Sequence, residues 1–87
     1  MDSYEIQWKG SAERELRRLD PQQIPQIIQA VDALANAPFP RGCRKLHGAE
    51  RAYRIRVGEY RVVYQVDVKA KVVTIYHVRP RGKAYRR

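Results

Sequence analysis

Tyr53-Arg54-Ile55-Arg56-Val57-Gly58-Glu59-Tyr60-Arg61-Val62-Val63-Tyr64 is the stretch of this 87-residue chain from which its fold is read. Apolar and charged residues alternate with a period of two on both sides of Gly58-Glu59, the pattern of two strands that share one buried face. Glycine at the first central position of a two-residue turn suits a type II′ hairpin, which sets Val57 opposite Tyr60. Arg56 then lies opposite Arg61, Ile55 opposite Val62, Arg54 opposite Val63, and Tyr53 opposite Tyr64. Tyr53, Ile55, Val57, Tyr60, Val62 and Tyr64 fall on one face. The other face carries Arg54, Arg56 and Arg61 together. Like charges directly across a ladder disfavour pairing by roughly 0.2–1 kcal/mol. Stability alone would not select such a patch, and conflicts of this kind mark functional sites. A plainer reading has the arginines splaying into solvent or pairing with Glu50 and Glu59.

Downstream, Val72–Arg79 is again rich in Val, Ile and Tyr and reads as a strand, joined to the hairpin by Val68-Lys69-Ala70-Lys71. Links this short require antiparallel neighbours. Upstream, Arg41–Glu50 reads as a loop or short strand containing Leu46. Asn36-Ala37-Pro38-Phe39-Pro40 stops a helix whose apolar face is Ile24, Ile27, Ile28, Val31, Leu34 and Ala35. Asp20-Pro21 suits that helix's start, with Asp20 as N-cap and Pro21 in the first position, although Pro25 delays regular helix by a few residues. Before it, Ala12, Leu16 and Leu19 mark a first helix, with Ser11 as its expected N-cap and Glu13 and Glu15 favouring its dipole. Tyr4–Lys9 alternates as an opening strand with Tyr4, Ile6 and Trp8 facing inward. The expected fold is α+β, in the order β-α-α-β-β-β, with two N-terminal helices packed on a twisted antiparallel sheet. Residues 1–87 read as a single domain.

Charge narrows the function. Eighteen Lys and Arg against nine Asp and Glu give a net charge of +9. Residues 1–40 are slightly acidic and residues 41–87 hold the whole excess of base. Solubility does not call for such segregation, whereas a polyanion-binding surface does. No apolar run reaches the length of a membrane span, and the polar start does not read as a leader. The single cysteine, Cys43, cannot form an internal disulfide, which fits a reducing, cytoplasmic setting. One Cys with His47 and His77 offers no metal-ligand spacing, so neither metal nor cofactor is expected. The last ten residues, Val78-Arg79-Pro80-Arg81-Gly82-Lys83-Ala84-Tyr85-Arg86-Arg87, interleave cations with an aromatic ring, as single-stranded RNA recognition requires.

Together these segments resemble the RelE/ParE toxin superfamily over nearly the whole chain. The hairpin at 53–64 looks like that family's most specific element. Lys45-Leu46-His47-Gly48 is similar to its K-L-x-G segment, and a strand ending in His77-Val78-Arg79-Pro80-Arg81 follows. The resemblance to RelE implies a toxin of a type II toxin–antitoxin system. It would be a metal-independent endoribonuclease that cleaves messenger RNA in the ribosomal A site, with the ribose 2′-hydroxyl attacking the adjacent phosphate. It assigns catalysis to Arg54, Arg56, Arg61, Arg81 and Tyr85, and leaves Lys45, His47, Arg79, Lys83, Arg86 and Arg87 to bind RNA. Guanidiniums suit a phosphorane that carries more negative charge than the diester.

The familiar members carry lysines where this chain has Arg54 and Arg56. Arginine stays protonated, so Arg54 is a poor base. Tyr85 with a lowered pKa could serve, or the enzyme could rely on positioning and charge. His47 and His77 are acid–base candidates by residue type, with His77 read first as structural. The implied partners are the ribosome with its messenger RNA and a cognate antitoxin, with operator DNA touched only through the antitoxin and no membrane. Two other readings stay open: a ParE-type inhibitor of DNA gyrase, and a non-catalytic RNA-binding module.

Overall fold

The computed structural model describes residues 3–46 and 51–80. In chain order the elements are β1 (Glu5–Trp8), α1 (Gly10–Arg17), α2 (Ile24–Ala33), β2 (Arg44–Lys45), β3 (Ala52–Val57), β4 (Tyr60–Asp67) and β5 (Val72–Pro80). The strands form one sheet in the order β1-β5-β4-β3-β2. The expected order β-α-α-β-β-β is present, with one further two-residue strand, β2, in the stretch read as a loop or short strand. The sheet is mixed, however, and not wholly antiparallel: β1 pairs with β5 in parallel, Glu5 beside Val72 and Trp8 beside Ile75. Hairpin links force β3, β4 and β5 to alternate. No short link constrains β1, because two helices intervene before its partner arrives.

The central hairpin closes in the expected register, from Val57↔Tyr60 through Arg56↔Arg61 to Tyr53↔Tyr64. Gly58 alone of the two turn residues has a positive φ, 59°, the pattern of a II′ turn. A Cβ there would lie 3.0 Å from the Gln26 side-chain nitrogen, so glycine is favoured both by conformation and by space.

Both helix starts differ from expectation. Lys9, not Ser11, occupies the N-cap of α1, and no side chain caps it. The Lys9 N–H donates to the Ile75 carbonyl at 3.0 Å, so the strand hands the chain directly to the helix two residues earlier than Ser11 would. Asp20 and Pro21 do not open α2. Asp20 Oδ1 accepts the Gln22 N–H at 3.0 Å in a separate turn. The helix begins at Ile24 with Pro25 in its first turn, where the missing N–H costs nothing.

Ile27 and Val31 of α2, Leu34 at its C-cap and Ala12 of α1 are buried against Ile55, Val57, Val62, Tyr64, Val66, Val73, Ile75 and Val78. Tyr4, Ile6 and Trp8 pack at the margin, as their alternation predicts. Tyr64 is fully buried, and its hydroxyl donates to the Pro38 carbonyl at 2.8 Å, tying the loop after α2 to the sheet. Burial, with smaller contributions from Cys43 and Tyr53 beside it, pushes the Tyr64 phenol up, so it stays a donor.

One irregularity in β5 positions the site. Val63 pairs with His77 but Tyr64 pairs with Ile75, so Tyr76 is an extra residue on β5. Val73 and Ile75 face the core, and strict alternation would turn His77 and Arg79 inward too. The bulge shifts the phase by one residue, so that Val78 is buried and His77 and Arg79 lie on the arginine face.

Candidate nucleic-acid interface

Cross-strand pairing builds two rows on the face away from the helices. One runs Arg44, Arg54, Val63, His77 across β2, β3, β4 and β5. The other runs Arg56, Arg61, Arg79 across β3, β4 and β5. Neighbouring strands lie about 4.8 Å apart, so each row is about 10–15 Å long, the span of two or three nucleotides. No described element covers this face. Arg54 and Arg61 are half-buried, and Arg44, Arg56 and Arg79 are exposed. The exposed Arg44 and Arg56 leave their charge available to an anion.

Glu15 of α1 is the carboxylate that meets this face among the described residues. β1 ends at Trp8, so α1 lies along the edge of β5 that β1 leaves open. There Glu15 Oε1 accepts the Val78 N–H at 2.9 Å, a bond that a further strand would otherwise make. Its Oε2 accepts from Arg79 Nε, also at 2.9 Å. His77 Nδ1 lies 3.5 Å from Oε1. Burial pushes the Glu15 carboxyl up, but the Val78 N–H, the Arg79 bond and the charges of Arg79 and His77 outweigh it and hold the carboxyl below its usual range. Neither Arg54 nor Arg56 has an ion pair with Glu59, and Glu50 lies outside the described residues.

The structure thus brings together Arg54, Arg56, Arg61 and Arg79 of the residues expected from sequence. Lys45 is not with them. It pairs with Tyr53 and shares the helix-bearing face, while its neighbour Arg44 lies beside Arg54 on the arginine face. The K-L-x-G segment carries no strand alternation, so nothing in it chose between adjacent basic residues. Glu15 was read only as a favourable charge in a helix's first turns, and its contacts lie more than sixty residues away in sequence. Arg81, Tyr85, His47, Lys83, Arg86 and Arg87 lie outside the described residues.

A second feature adjoins this face. β2 pairs with Tyr53 and Arg54, and Leu46 bonds to Ala52, so among the described residues 55–57 of β3 have an open edge. Between that edge and α2 lies a groove of about 530 Å³, floored by Ala30, Ala33, Leu34 and Val57 and rimmed by Arg41, Arg44 and Arg56. Among the described residues, no three His, Cys, Asp or Glu side chains converge to hold a metal ion. No helix in that set is long and apolar enough to cross a membrane.

Comparison with known proteins agrees with this geometry. Residues 6–85 match the family model described as ParE toxin of type II toxin–antitoxin system, parDE. The chain is 31% identical over 84 residues to the toxin RelE of Mycobacterium tuberculosis, covering 95% of this chain and 87% of that one. The archaeal RelE–RelB complex of Pyrococcus horikoshii superposes with a TM-score of 0.82 at 31% identity, covering 93% of this chain and 98% of the other. The intact RelBE toxin–antitoxin complex of Escherichia coli superposes with a TM-score of 0.78 at 26% identity, covering 90% and 96%. With its hairpin register, its helices on one face and these matches over nearly its whole length, the chain belongs to the RelE/ParE toxin superfamily and is a toxin of a type II toxin–antitoxin system.

Proposed function

We propose that this toxin is a metal-independent endoribonuclease that cleaves messenger RNA on the ribosome, acting through its arginine face. The observation that carries this reading is the pair of rows that aligns Arg54, Arg56, Arg61 and Arg79 on one open side of the sheet. Four guanidiniums over about 10 Å exceed what solubility requires and match a phosphodiester passing through a dianionic phosphorane. Arg61 and Arg56 stabilise that charge. Arg54, on a half-buried stem, holds the neighbouring phosphate. Arg81 and Tyr85, from the segment after β5, complete the site by binding phosphate and stacking on a base. Arg79 and Arg44 extend the RNA track, and His47, Lys83, Arg86 and Arg87 are further RNA-binding candidates outside the described residues. The whole chain acts as one domain in the cytoplasm.

A cognate antitoxin restrains it. The solved relatives from Pyrococcus horikoshii and Escherichia coli are complexes with RelB. In this chain, the arginine-rimmed groove beside the open β3 edge suits an acidic segment with apolar anchors. Operator DNA is reached only through that complex.

Primer extension on a reporter message, with purified protein and translating ribosomes, tests the activity. Discrete cuts that need ribosomes and vanish in Arg61→Ala support it, and an intact message refutes it. The match to a ParE model favours a second reading, inhibition of DNA gyrase. That reading requires gyrase-dependent DNA breaks in place of cut message.

A further inference from the structure

Arginine at 54 and 56 stays protonated, which leaves the proposed reaction without an evident proton acceptor on the hairpin. The structure holds a candidate one strand away. The bulge at Tyr76 turns His77 onto the arginine face, diagonal to Arg61 and in line with Arg54 across Val63. Diagonal neighbours on one face stand about 7–8 Å apart at Cα, a distance that a ribose and its phosphate can bridge.

The two ring nitrogens of His77 are in different surroundings. Nδ1 is shielded from solvent, makes no hydrogen bond and faces Glu15 Oε1 at 3.5 Å. A carboxylate only accepts, so this contact favours the tautomer with the proton on Nδ1. The side chain keeps 36% exposure, and Nε2 is not among the buried polar atoms. With the proton on Nδ1, the lone pair is on Nε2, the ring nitrogen away from Glu15. Glu15 cannot swing away freely, because both its oxygens are engaged, by Val78 and by Arg79. The pairing follows the logic of a carboxylate that orients a catalytic histidine.

We propose that His77 is the general base of this ribonuclease and that Glu15 is its positioning residue, an inference that rests on the ribonuclease reading above. Nε2 takes the proton of the attacking 2′-hydroxyl as the 2′-oxygen bonds to phosphorus. The bond from phosphorus to the 5′-oxygen breaks, and the 5′-oxygen takes a proton from water. The imidazolium then returns its proton to the hydroxide so formed. The products are a 2′,3′-cyclic phosphate and a 5′-hydroxyl, with no net proton consumed. Arg61 and Arg79 flank the imidazole and offset the charge of the phosphorane. Tyr76, with Lys9 Nζ 5.4 Å from its ring centre, bounds the site on the β1 side.

The test is the pH dependence of single-turnover message cleavage on programmed ribosomes, for the wild type, His77→Gln and Glu15→Gln. Circular dichroism confirms that each variant is folded. The wild-type rate rises with pH through an inflection of imidazole character and then levels. His77→Gln lowers the rate on the order of 100-fold or more and removes the inflection. Glu15→Gln retains an acceptor for the Val78 N–H, keeps the inflection and lowers the plateau roughly tenfold. Nitrogen NMR of labelled wild type reads the tautomer without any substrate, and Nδ1–H is expected. A wild-type profile that survives His77→Gln overturns the inference and leaves the ribonuclease intact. A rate that falls with pH through the same inflection overturns the base assignment. A wild type that cuts no message while ribosomes translate normally overturns the ribonuclease reading, and this inference with it.

Discussion

Arg56→Gln is expected to make the protein more stable and less active at once. Arg56 is exposed on β3 directly opposite Arg61, and Arg61 is itself opposite Arg79. In a two-residue hairpin the pair flanking the turn, Val57 and Tyr60, exchanges hydrogen bonds. The next pair, Arg56 and Arg61, is then of the non-hydrogen-bonded class, whose Cα atoms stand only about 4.5 Å apart. Allowing the guanidiniums to splay to about 6–8 Å, their repulsion in water is roughly 0.5 kcal/mol. That agrees with the lower half of the range for like charges across a ladder. Glutamine keeps the length of the stem and removes the charge. In a domain of this size, about 0.5 kcal/mol corresponds to a rise in Tm of about 2–4 °C. Thermal melts at low and high salt check it. The gain should shrink toward zero at about 1 M salt, where the Debye length falls to about 3 Å. Message cleavage by the same variant should fall by about tenfold or more, as an electrostatic contribution to the transition state is removed. A lower Tm at low salt, or a gain indifferent to salt, would refute the claim that the arginine row is held against its own repulsion.

The remaining predictions concern single contacts. Arg61→Ala should leave the fold intact and cut the cleavage rate by roughly 100-fold or more, read by primer extension. Tyr64→Phe removes the donor to Pro38 in a buried setting and should lower stability by about 1–2 kcal/mol in urea unfolding. Gly58→Ala must adopt a positive φ and press on Gln26, and should lower Tm by several degrees, about 1 kcal/mol of stability. Glu15 gives a stability effect with a defined sign. Its carboxyl is held below the ordinary value of 4.5, so folding favours the ionised form. That contribution is complete above the ordinary glutamate range and is lost as pH falls through the lower folded value. The Tm gap between wild type and Glu15→Gln should therefore be widest near neutral pH and close on acidification below about pH 4. A gap that widens in acid would contradict the assignment.

How far the sequence could be read depended on the range of the interaction. The hairpin at 53–64 was legible to the residue pair, because alternation and a Gly-first turn are local signals that constrain the same register. The buried face of α2 was legible for the same reason, since Ile27, Val31 and Leu34 repeat at helical spacing. The parallel placement of β1 was not, because two helices separate it from β5 and no turn sets its direction. The bulge at Tyr76 was not legible either: Val72–Arg79 alternates no better with it than without it, yet it decides which face receives His77 and Arg79. In the candidate site, the hairpin arginines could be found by pairing arithmetic. Arg44 and Glu15 could not, since one sits on a two-residue strand and the other acts across the fold on Val78 and Arg79.

The pairing of β1 with β5 also sets when the protein can come into being. Residues 5–8 leave the ribosome 67 residues before the edge they join, residues 72–75. Until then Ile6 and Trp8 have no sheet to lie against, and α1 has no Val78 to hold through Glu15. Contacts of such long sequence separation form late and slowly. The hairpin arginines can align before that moment, but the row through Arg79 cannot. The complete arginine row is thus a property of the closed sheet, absent from any chain that has not yet delivered β5.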